Sequence, residues 1–341
     1  MRLLFVKLKH IGDSLLLTPA LTAVRGSYPG AEIWVVVRKG CEGIMTGCPA
    51  IDKLLTGAAP ETTKRSPMNW WREFQMIFNL RRRRFDYAFE LSDGGRGRWI
   101  SCLSKAKIRC TNGTARPLNW WWRRQFNFVS QFDGRDCHRA EKDFFTVNDC
   151  LPIGKQVPPL AFDRTRTEIW ASTPASGDYA VMHPGTRWVR KQWPEAKWLD
   201  VGQQLLARVR HLVISVGPDP AETGLAAALA ASLGPRAIST DGKLSWAQLA
   251  SVLYGAKLFV GVDTAAMHLA AACQCPTVAI FGPSRVSAWR PFRVPHRVLT
   301  PPGAEAATDD SSRARLETAR VGVDEVVAAC LELLAVPRSC G

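Results

Sequence analysis

The 341-residue chain contains no uninterrupted apolar run approaching the ~18–20 residues of a membrane span. Its opening, Met1-Arg-Leu-Leu-Phe-Val-Lys-Leu-Lys9, has too brief an apolar stretch for a signal h-region and reads as a first β-strand, which predicts a cytosolic protein. No C-x₂-C pair occurs. Cys273 and Cys275 form a C-x-C without a second ligand pair, so the ten cysteines read as buried reduced thiols rather than a zinc site or a disulfide framework. The P-loop pattern G-x-x-x-x-G-K-[ST] is missing, and no G-x-G-x-x-G follows the first strand, which argues against a dinucleotide oxidoreductase. No tandem repeat of ~20–50 residues is visible. Acidic residues are the scarce sign: 30 Asp and Glu against 45 Lys and Arg give a net charge of +15. Such an excess suggests an anionic partner, whether nucleic acid, a phosphorylated substrate or an anionic membrane surface. No nucleic-acid-binding motif accompanies it. Thirteen tryptophans, several beside arginine, suit a membrane interface better.

The residues that are present alternate between strand and helix patterns. Leu3–Leu8 reads as a strand, Ser14–Ser27 as a helix with Pro19 in its first turns, and Glu32–Val37 as the next strand, which makes a βαβ unit and a parallel sheet. Tyr87–Leu91 and Lys107–Cys110 read as further strands, Asn119–Arg124 as a loop, and His138–Cys150 as a helix. Prolines and weak periodicity between Leu151 and Gly177 mark a linker. The alternation then restarts with strands at Tyr179–His183, Val213–Val216, Ala237–Ile238, Leu258–Val260 and Thr277–Phe281. Helices fall at 195–208, 221–233, 245–254 and from Ala265, and an amphipathic helix closes the chain at 321–334. The domain reading is 1–155, a linker at 156–177, a second domain at 178–320, and a helix with tail at 321–341. Two doubly wound α/β halves facing a central cleft are the expected architecture.

Several residues carry candidate chemistry. The stretch Gly261-Val-Asp-Thr-Ala-Ala-Met-His268 runs from a strand end into a helix start, where free N–H groups favour an anion such as a diphosphate. Asp263 or Thr264 would cap that helix. Asp13, in the first β-to-α loop, is either another helix cap or a carboxylate general base. Thr186-Arg-Trp-Val-Arg-Lys191 precedes a helix and is either a phosphate clamp or a solvated basic loop. Glu222, one turn into a helix after Gly217, is either a partner of ribose hydroxyls or an ordinary dipole partner. The run Arg81-Arg82-Arg83-Arg84 is either a holder of acidic substrate or lipid headgroups or a solvated helix end.

Taken together, these motifs resemble the ADP-heptose:lipopolysaccharide heptosyltransferases, glycosyltransferase family 9. The resemblance rests on Val6-Lys7 through Gly12-Asp13-Ser14 with Thr18-Pro19-Ala20-Leu21, on His183-Pro184-Gly185 with Lys191-x-Trp-Pro-x-x-x-Trp198, on Gly217-Pro-Asp219, and on Asp263-Thr-Ala-Ala-Met-His268 with Phe281-Gly-Pro-Ser284. The His-Pro-Gly and Gly-Pro-Asp turns look closest to the third core heptosyltransferase type. The resemblance implies a GT-B arrangement of two Rossmann-like domains. It implies inverting transfer of heptose from ADP-L-glycero-D-manno-heptose to a heptose of the lipopolysaccharide inner core. Alternatives are another core sugar or protein hydroxyl as acceptor, or a non-catalytic sugar-nucleotide-binding module. By position, Asp13 matches the general base and Lys191 the lysine at the ADP leaving group. Donor contacts would fall on Thr186, Arg187, Glu222, Leu244, Asp263, Thr264, Ala265 and His268. Leu244 stands where the family often has methionine, and Ala265 where some members have glycine. No Asp-x-Asp motif is present, and neither a cofactor nor a metal is expected. Arg81, Arg82, Arg83, Arg84, Trp120, Trp121, Arg123 and Arg124 are expected to face acceptor and membrane, at the cytoplasmic face of the inner membrane, with no nucleic-acid partner.

Overall fold

A computed structural model describes residues 1–57, 67–114, 117–175 and 177–335, with backbone only for 67–70. Position 176 of the expected linker and 336–341 of the expected tail lie outside the described residues. The described residues form two compact units divided between Asp163 and Arg164.

The first unit runs β1 (Arg2–Lys7), α1 (Ile11–Leu15), α2 (Thr18–Ser27), β2 (Glu32–Arg38), α3 (Glu42–Met45), β3 (Lys53–Gly57), α4 (Pro67–Arg83), β4 (Tyr87–Glu90), α5 (Gly95–Leu103), β5 (Ile108–Asn112), α6 (Trp120–Gln125), β6 (Phe128–Ser130) and α7 (Arg139–Cys150). Its sheet is wholly parallel with strand order β3-β2-β1-β4-β5-β6. Leu3, Leu4, Phe5 and Val6 are all fully buried, as expected for a central parallel strand covered on both faces. Leu4, Val6, Val36 and Ala88 pack one face against Met76 and Leu80 of α4 and Ile100 of α5. Each such side chain contributes ~1.5–3 kcal/mol through burial.

The expected helix over 14–27 is interrupted at Leu16–Leu17. Pro19 has no N–H to give the Leu15 carbonyl, and the Thr18 hydroxyl bonds that oxygen instead at 2.8 Å. The expected loop at Asn119–Arg124 is mostly helix. Asn119 caps α6, its side-chain oxygen accepting the Trp122 amide at 2.9 Å.

The second unit runs β7 (Tyr179–His183), α8 (Glu195–Leu206), β8 (His211–Ile214), α9 (Pro220–Leu233), β9 (Ala237–Ser239), α10 (Trp246–Gly255), β10 (Leu258–Val262), α11 (Ala265–Ala272), β11 (Thr277–Ile280), α12 (Val286–Trp289), β12 (His296–Leu299), α13 (Asp310–Arg313) and α14 (Val323–Ala335). Its parallel sheet has order β12-β11-β10-β7-β8-β9, the same topology as the first. Helices α8, α9 and α14 fill one face with Trp198, Val201, Leu229, Val326, Cys330 and Leu333. Cys273 and Cys275 are buried thiols whose Sγ atoms donate to the Ala250 and Ala256 carbonyls.

In each sheet the order reverses beside the first strand, between β1 and β4 and between β7 and β10. The helices leaving these neighbours diverge there, which opens a crevice at the carboxyl ends of the strands. Glu90 ends β4 at the first of these points, with zero exposure. Its oxygens accept the Ser92 amide at 2.8 Å and the Thr111 hydroxyl at 3.1 Å. Burial, reinforced by nearby Asp93, pushes its carboxyl up to about 7. The folded chain thus keeps a proton that the unfolded chain gives up near 4.5, so stability falls as pH rises between these values. Glu90→Gln retains an acceptor for Ser92 and removes the titration. In urea unfolding from mildly acidic to mildly alkaline pH, wild type should lose up to ~3 kcal/mol more than Glu90→Gln. Parallel pH profiles would show that Glu90 ionises normally.

Candidate functional site

In the second unit the reversal places Gly261 of β10 beside His183 of β7, so the loops leaving both strands start side by side. The loop after β7 is held rigidly. Trp193 and Trp198 pack edge to face at 4.9 Å, both essentially buried. The Trp193 indole donates to the Val321 carbonyl, and the Thr318 hydroxyl donates to the Arg190 carbonyl at 2.9 Å. The two tryptophans of the Lys191-x-Trp-Pro-x-x-x-Trp198 motif are therefore the anchor that fixes where Lys191 stands.

Lys191 reaches across to the loop after β10. Its Nζ lies 2.6 Å from Asp263 Oδ2 and 3.3 Å from the Asp263 carbonyl. Asp263 is 7% exposed, whereas the Lys191 side chain keeps 22%. An ammonium has three donors, so one remains for a further oxygen. Asp263 is therefore spent on Lys191 and does not cap α11; Thr264 occupies the cap position without a side-chain cap bond. The Thr264 Oγ1 is buried and has no partner among the described residues. Beside it stand the first-turn amides of α11, beginning at Ala265, which have no intrahelical acceptors. His268, one turn on, is buried with its ring 6.4 Å from that of Trp289.

Glu222 stands over the end of β8. Its Oε2 accepts the Gly217 amide at 2.9 Å, and it lies so close to Gly185 that a Cβ there would collide with it. Gly242 (φ +65°) passes equally close to the Gly217 carbonyl, next to half-buried Leu244. Thr186 is buried and its hydroxyl accepts the Trp188 amide at 3.3 Å, whereas Arg187 is exposed. His183 makes a 2.8 Å contact with the Ser215 hydroxyl, and burial pushes its imidazole down to about 4, so it is neutral near pH 7. It is a neutral hydrogen-bonding partner of Ser215 and brings no positive charge to the site.

In the first unit Asp13 is the third residue of α1, half-buried, and its Oδ2 accepts the His10 amide at 3.3 Å. His10, not Asp13, takes the cap position. Behind it lies a set of charges not anticipated from sequence. Lys7 pairs with Asp143 at 2.6 Å and Lys142 pairs with Asp93, with Lys7, Lys142 and Asp143 buried. Burial opposes the Lys7 ammonium, but Asp143, then Asp13, outweigh it and hold the amine above its ordinary value. The available signal was a charged residue ending an apolar strand, Lys7 on β1 and Glu90 on β4, where a parallel sheet exposes its ligand-binding end.

The tetra-arginine run lies elsewhere. It ends α4 just before β4, at the amino end of the sheet, opposite Asp13. Arg83 folds onto Trp34, 5.0 Å from the ring, and towards Glu32 at 3.6 Å, while Arg81, Arg82 and Arg84 stay exposed. Trp121 and Trp122 pack on Trp99 at 5.2 and 5.3 Å, and Trp120, Arg123 and Arg124 are exposed.

Two wholly parallel six-stranded units of this topology are those of the GT-B fold. A family model described as glycosyltransferase family 9 (heptosyltransferase) matches residues 74–316. The chain is 27% identical over 288 residues to lipopolysaccharide heptosyltransferase 3 of Escherichia coli, covering 82% of this chain and 83% of the relative. It is 30% identical over 294 residues to lipopolysaccharide heptosyltransferase 1 of Pseudomonas aeruginosa, covering 83% and 79%. The solved structure of E. coli heptosyltransferase WaaC with ADP matches with a TM-score of 0.80 at 22% identity, covering 98% of this chain and 100% of that one. The dodecameric iron-containing heptosyltransferase TibC with ADP-D-beta-D-heptose matches at 0.54 and 14%, covering 91% and 65%. The chain belongs to glycosyltransferase family 9, the heptosyltransferases, and is a transferase.

Two substitutions probe the second unit without any ligand. Thr264→Val removes a buried hydroxyl that bonds nothing among the described residues, so stability in thermal unfolding should be unchanged or rise by up to ~1 kcal/mol. Lys191→Ala leaves Asp263 buried without its cation and should lower stability by ~1–3 kcal/mol. If Thr264→Val proved the more damaging change, the hydrogen-bond assignment at this helix start would be wrong.

Proposed function

We propose that the chain transfers heptose from ADP-L-glycero-D-manno-heptose to a heptose of the lipopolysaccharide inner core, with inversion and without a metal ion. The observation that carries this reading is the meeting of Lys191, Asp263, Thr264 and the α11 N-terminus at the β7/β10 reversal. That arrangement offers fixed positive groups and an unpaired hydroxyl to a diphosphate. The names of the relatives supply the sugar and the acceptor class.

In this reading Lys191 turns its remaining N–H, with the α11 amides at Ala265, towards the diphosphate as negative charge grows on it. Asp263 holds Lys191 in place, the Thr264 hydroxyl meets the diphosphate, and His268, one turn on, lines the heptose. Glu222 faces the ribose hydroxyls, Leu244 the adenine, and Thr186 and Arg187 the phosphates. Asp13 accepts the proton of the acceptor hydroxyl as that oxygen attacks the anomeric carbon from the face opposite the leaving ADP. Lys191 and the α11 amides supply the leaving-group stabilisation that a metal ion supplies in other sugar-nucleotide transfers. Among the described residues no cluster of three His, Cys, Asp or Glu is placed to hold a metal. The enzyme would work in the cytoplasm at the inner leaflet of the inner membrane, with the basic, tryptophan-bearing surface of its first unit towards the anionic lipid.

ADP release from ADP-heptose with a heptose-bearing core acceptor, measured in excess EDTA, tests the reading. Wild type should turn over, and Asp13→Ala should lower kcat by ~10²–10⁴-fold while binding ADP normally. Lys191→Ala should weaken ADP binding as well as turnover. Turnover abolished by EDTA and restored by iron would overturn metal independence; donor binding without transfer to any core acceptor would overturn the acceptor.

A further inference from the structure

Helix α4 presents an aromatic surface that nothing among the described residues covers. Its inner face is ordinary core, with Leu80 fully buried and Met76 at 8% exposure. Its outer face carries Trp71, Phe74 and Phe78, exposed by 57, 61 and 49%. These positions are spaced i, i+3 and i+7, so they form one stripe along the helix axis. The rings are organised: Trp71 and Phe74 lie 6.1 Å apart at 24°, and Arg82, one further turn along, lies 5.5 Å over Phe78. Three large aromatics in line over successive turns exceed the scatter of single exposed apolar residues on a soluble surface.

The charges around the stripe indicate what it faces. Arg72 and Arg81 flank it and are exposed, and Arg82 ends it. The one acid within α4, Glu73, is turned away and bonded twice to Arg96 of α5, at 2.7 and 3.0 Å. Aromatic rings bordered by arginines, with no acid of the described residues of α4 on the exposed face, match the boundary between headgroups and acyl chains of an anionic bilayer. A protein partner for such a surface would need acidic groups around its own apolar contact. The bilayer supplies negative charge and an apolar layer over the whole length of the stripe. Among the described residues no helix is long and apolar enough to cross a membrane, so attachment through α4 would be in the plane of the surface.

We propose that α4 is the membrane-inserting element of this chain, with Trp71, Phe74 and Phe78 buried at the headgroup boundary of an anionic leaflet and Arg72, Arg81 and Arg82 against lipid phosphates. This deepens the proposed function and rests on it for the identity of the membrane, but not for the binding itself. It also reassigns the arginine run: Arg81 and Arg82 act as part of the α4 surface, whereas Arg83 is committed to Trp34 and Glu32.

Co-sedimentation with vesicles of phosphatidylglycerol mixed with phosphatidylcholine, and with phosphatidylcholine alone, tests the proposal using the full chain. Wild type should bind the mixed vesicles and bind the neutral ones far more weakly. The triple variant Trp71→Ser, Phe74→Ser, Phe78→Ser should bind the mixed vesicles at least ~10-fold more weakly. These side chains are exposed, so its unfolding temperature should match that of wild type. Its ADP release with a water-soluble, deacylated core acceptor should stay within ~2-fold of wild type, because the stripe meets the bilayer and not the reacting sugars. Equal vesicle binding by wild type and variant would overturn the proposal. So would a wild-type chain that ignores vesicles but forms a dimer which the variant disrupts, because the stripe would then cover a second copy. Vesicle binding that depends on the stripe, without turnover on any acceptor, would uphold the proposal and sink the functional reading instead.

Discussion

Everything chemically suggestive in this chain depends on one constraint of parallel sheets. When the strand order reverses, two neighbouring strands send their helices to opposite faces, and the loops leaving them have room between them for something other than protein. The chain meets this constraint twice with the same strand order. In the second unit the room is bordered by Lys191, Asp263 and the start of α11. In the first it is bordered by Asp13, Lys7 and Glu90, with Asp143, paired to Lys7, and the Lys142–Asp93 pair behind. The remaining architecture serves to hold those loops still, most plainly where two interlocked tryptophans fix a loop that carries a lysine.

The two sites differ in electrostatic character. The second unit offers a lysine not fully used by its aspartate, a buried hydroxyl with no partner among the described residues and a helix start, all suited to receiving an anion. The first unit offers carboxylates and ammonium groups already bonded to one another, with Asp13 at their solvent side. Such a set resists moving when a proton leaves or arrives nearby, because any displacement would strand a buried charge.

Legibility from sequence followed the locality of the signals. Most strands and helices of the second unit could be read because apolar runs alternate with small-residue helices bounded by Asp219, Ser245 and Gly234. Helix α4 was missed because Trp71, Phe74 and Phe78 on its outer face fill the gaps left by Met76 and Leu80 on its inner face, which erases the helical period. Helix α6 went unread because three successive tryptophans have no period at all, although its Asn119 cap was visible. Strands β3, β6 and β12 are short and carry polar residues. The site residues Asp13, Lys191 and Asp263 could be named from motif order, but the Lys191–Asp263 bond could not, nor could the pairing of Lys7 with Asp143. These are contacts between residues far apart in the chain, and only strand order brings them together.

The position of α14 carries a consequence for how the chain is made. Its Val326, Cys330 and Leu333 complete the core that α8 and strands β10 to β12 begin, yet it is the last described element to leave the ribosome. Until it docks, the apolar face above β10 and β11 stands open. The core of the second unit therefore cannot be completed before Val323–Ala335 has been made, and until then that apolar face has no cover of its own.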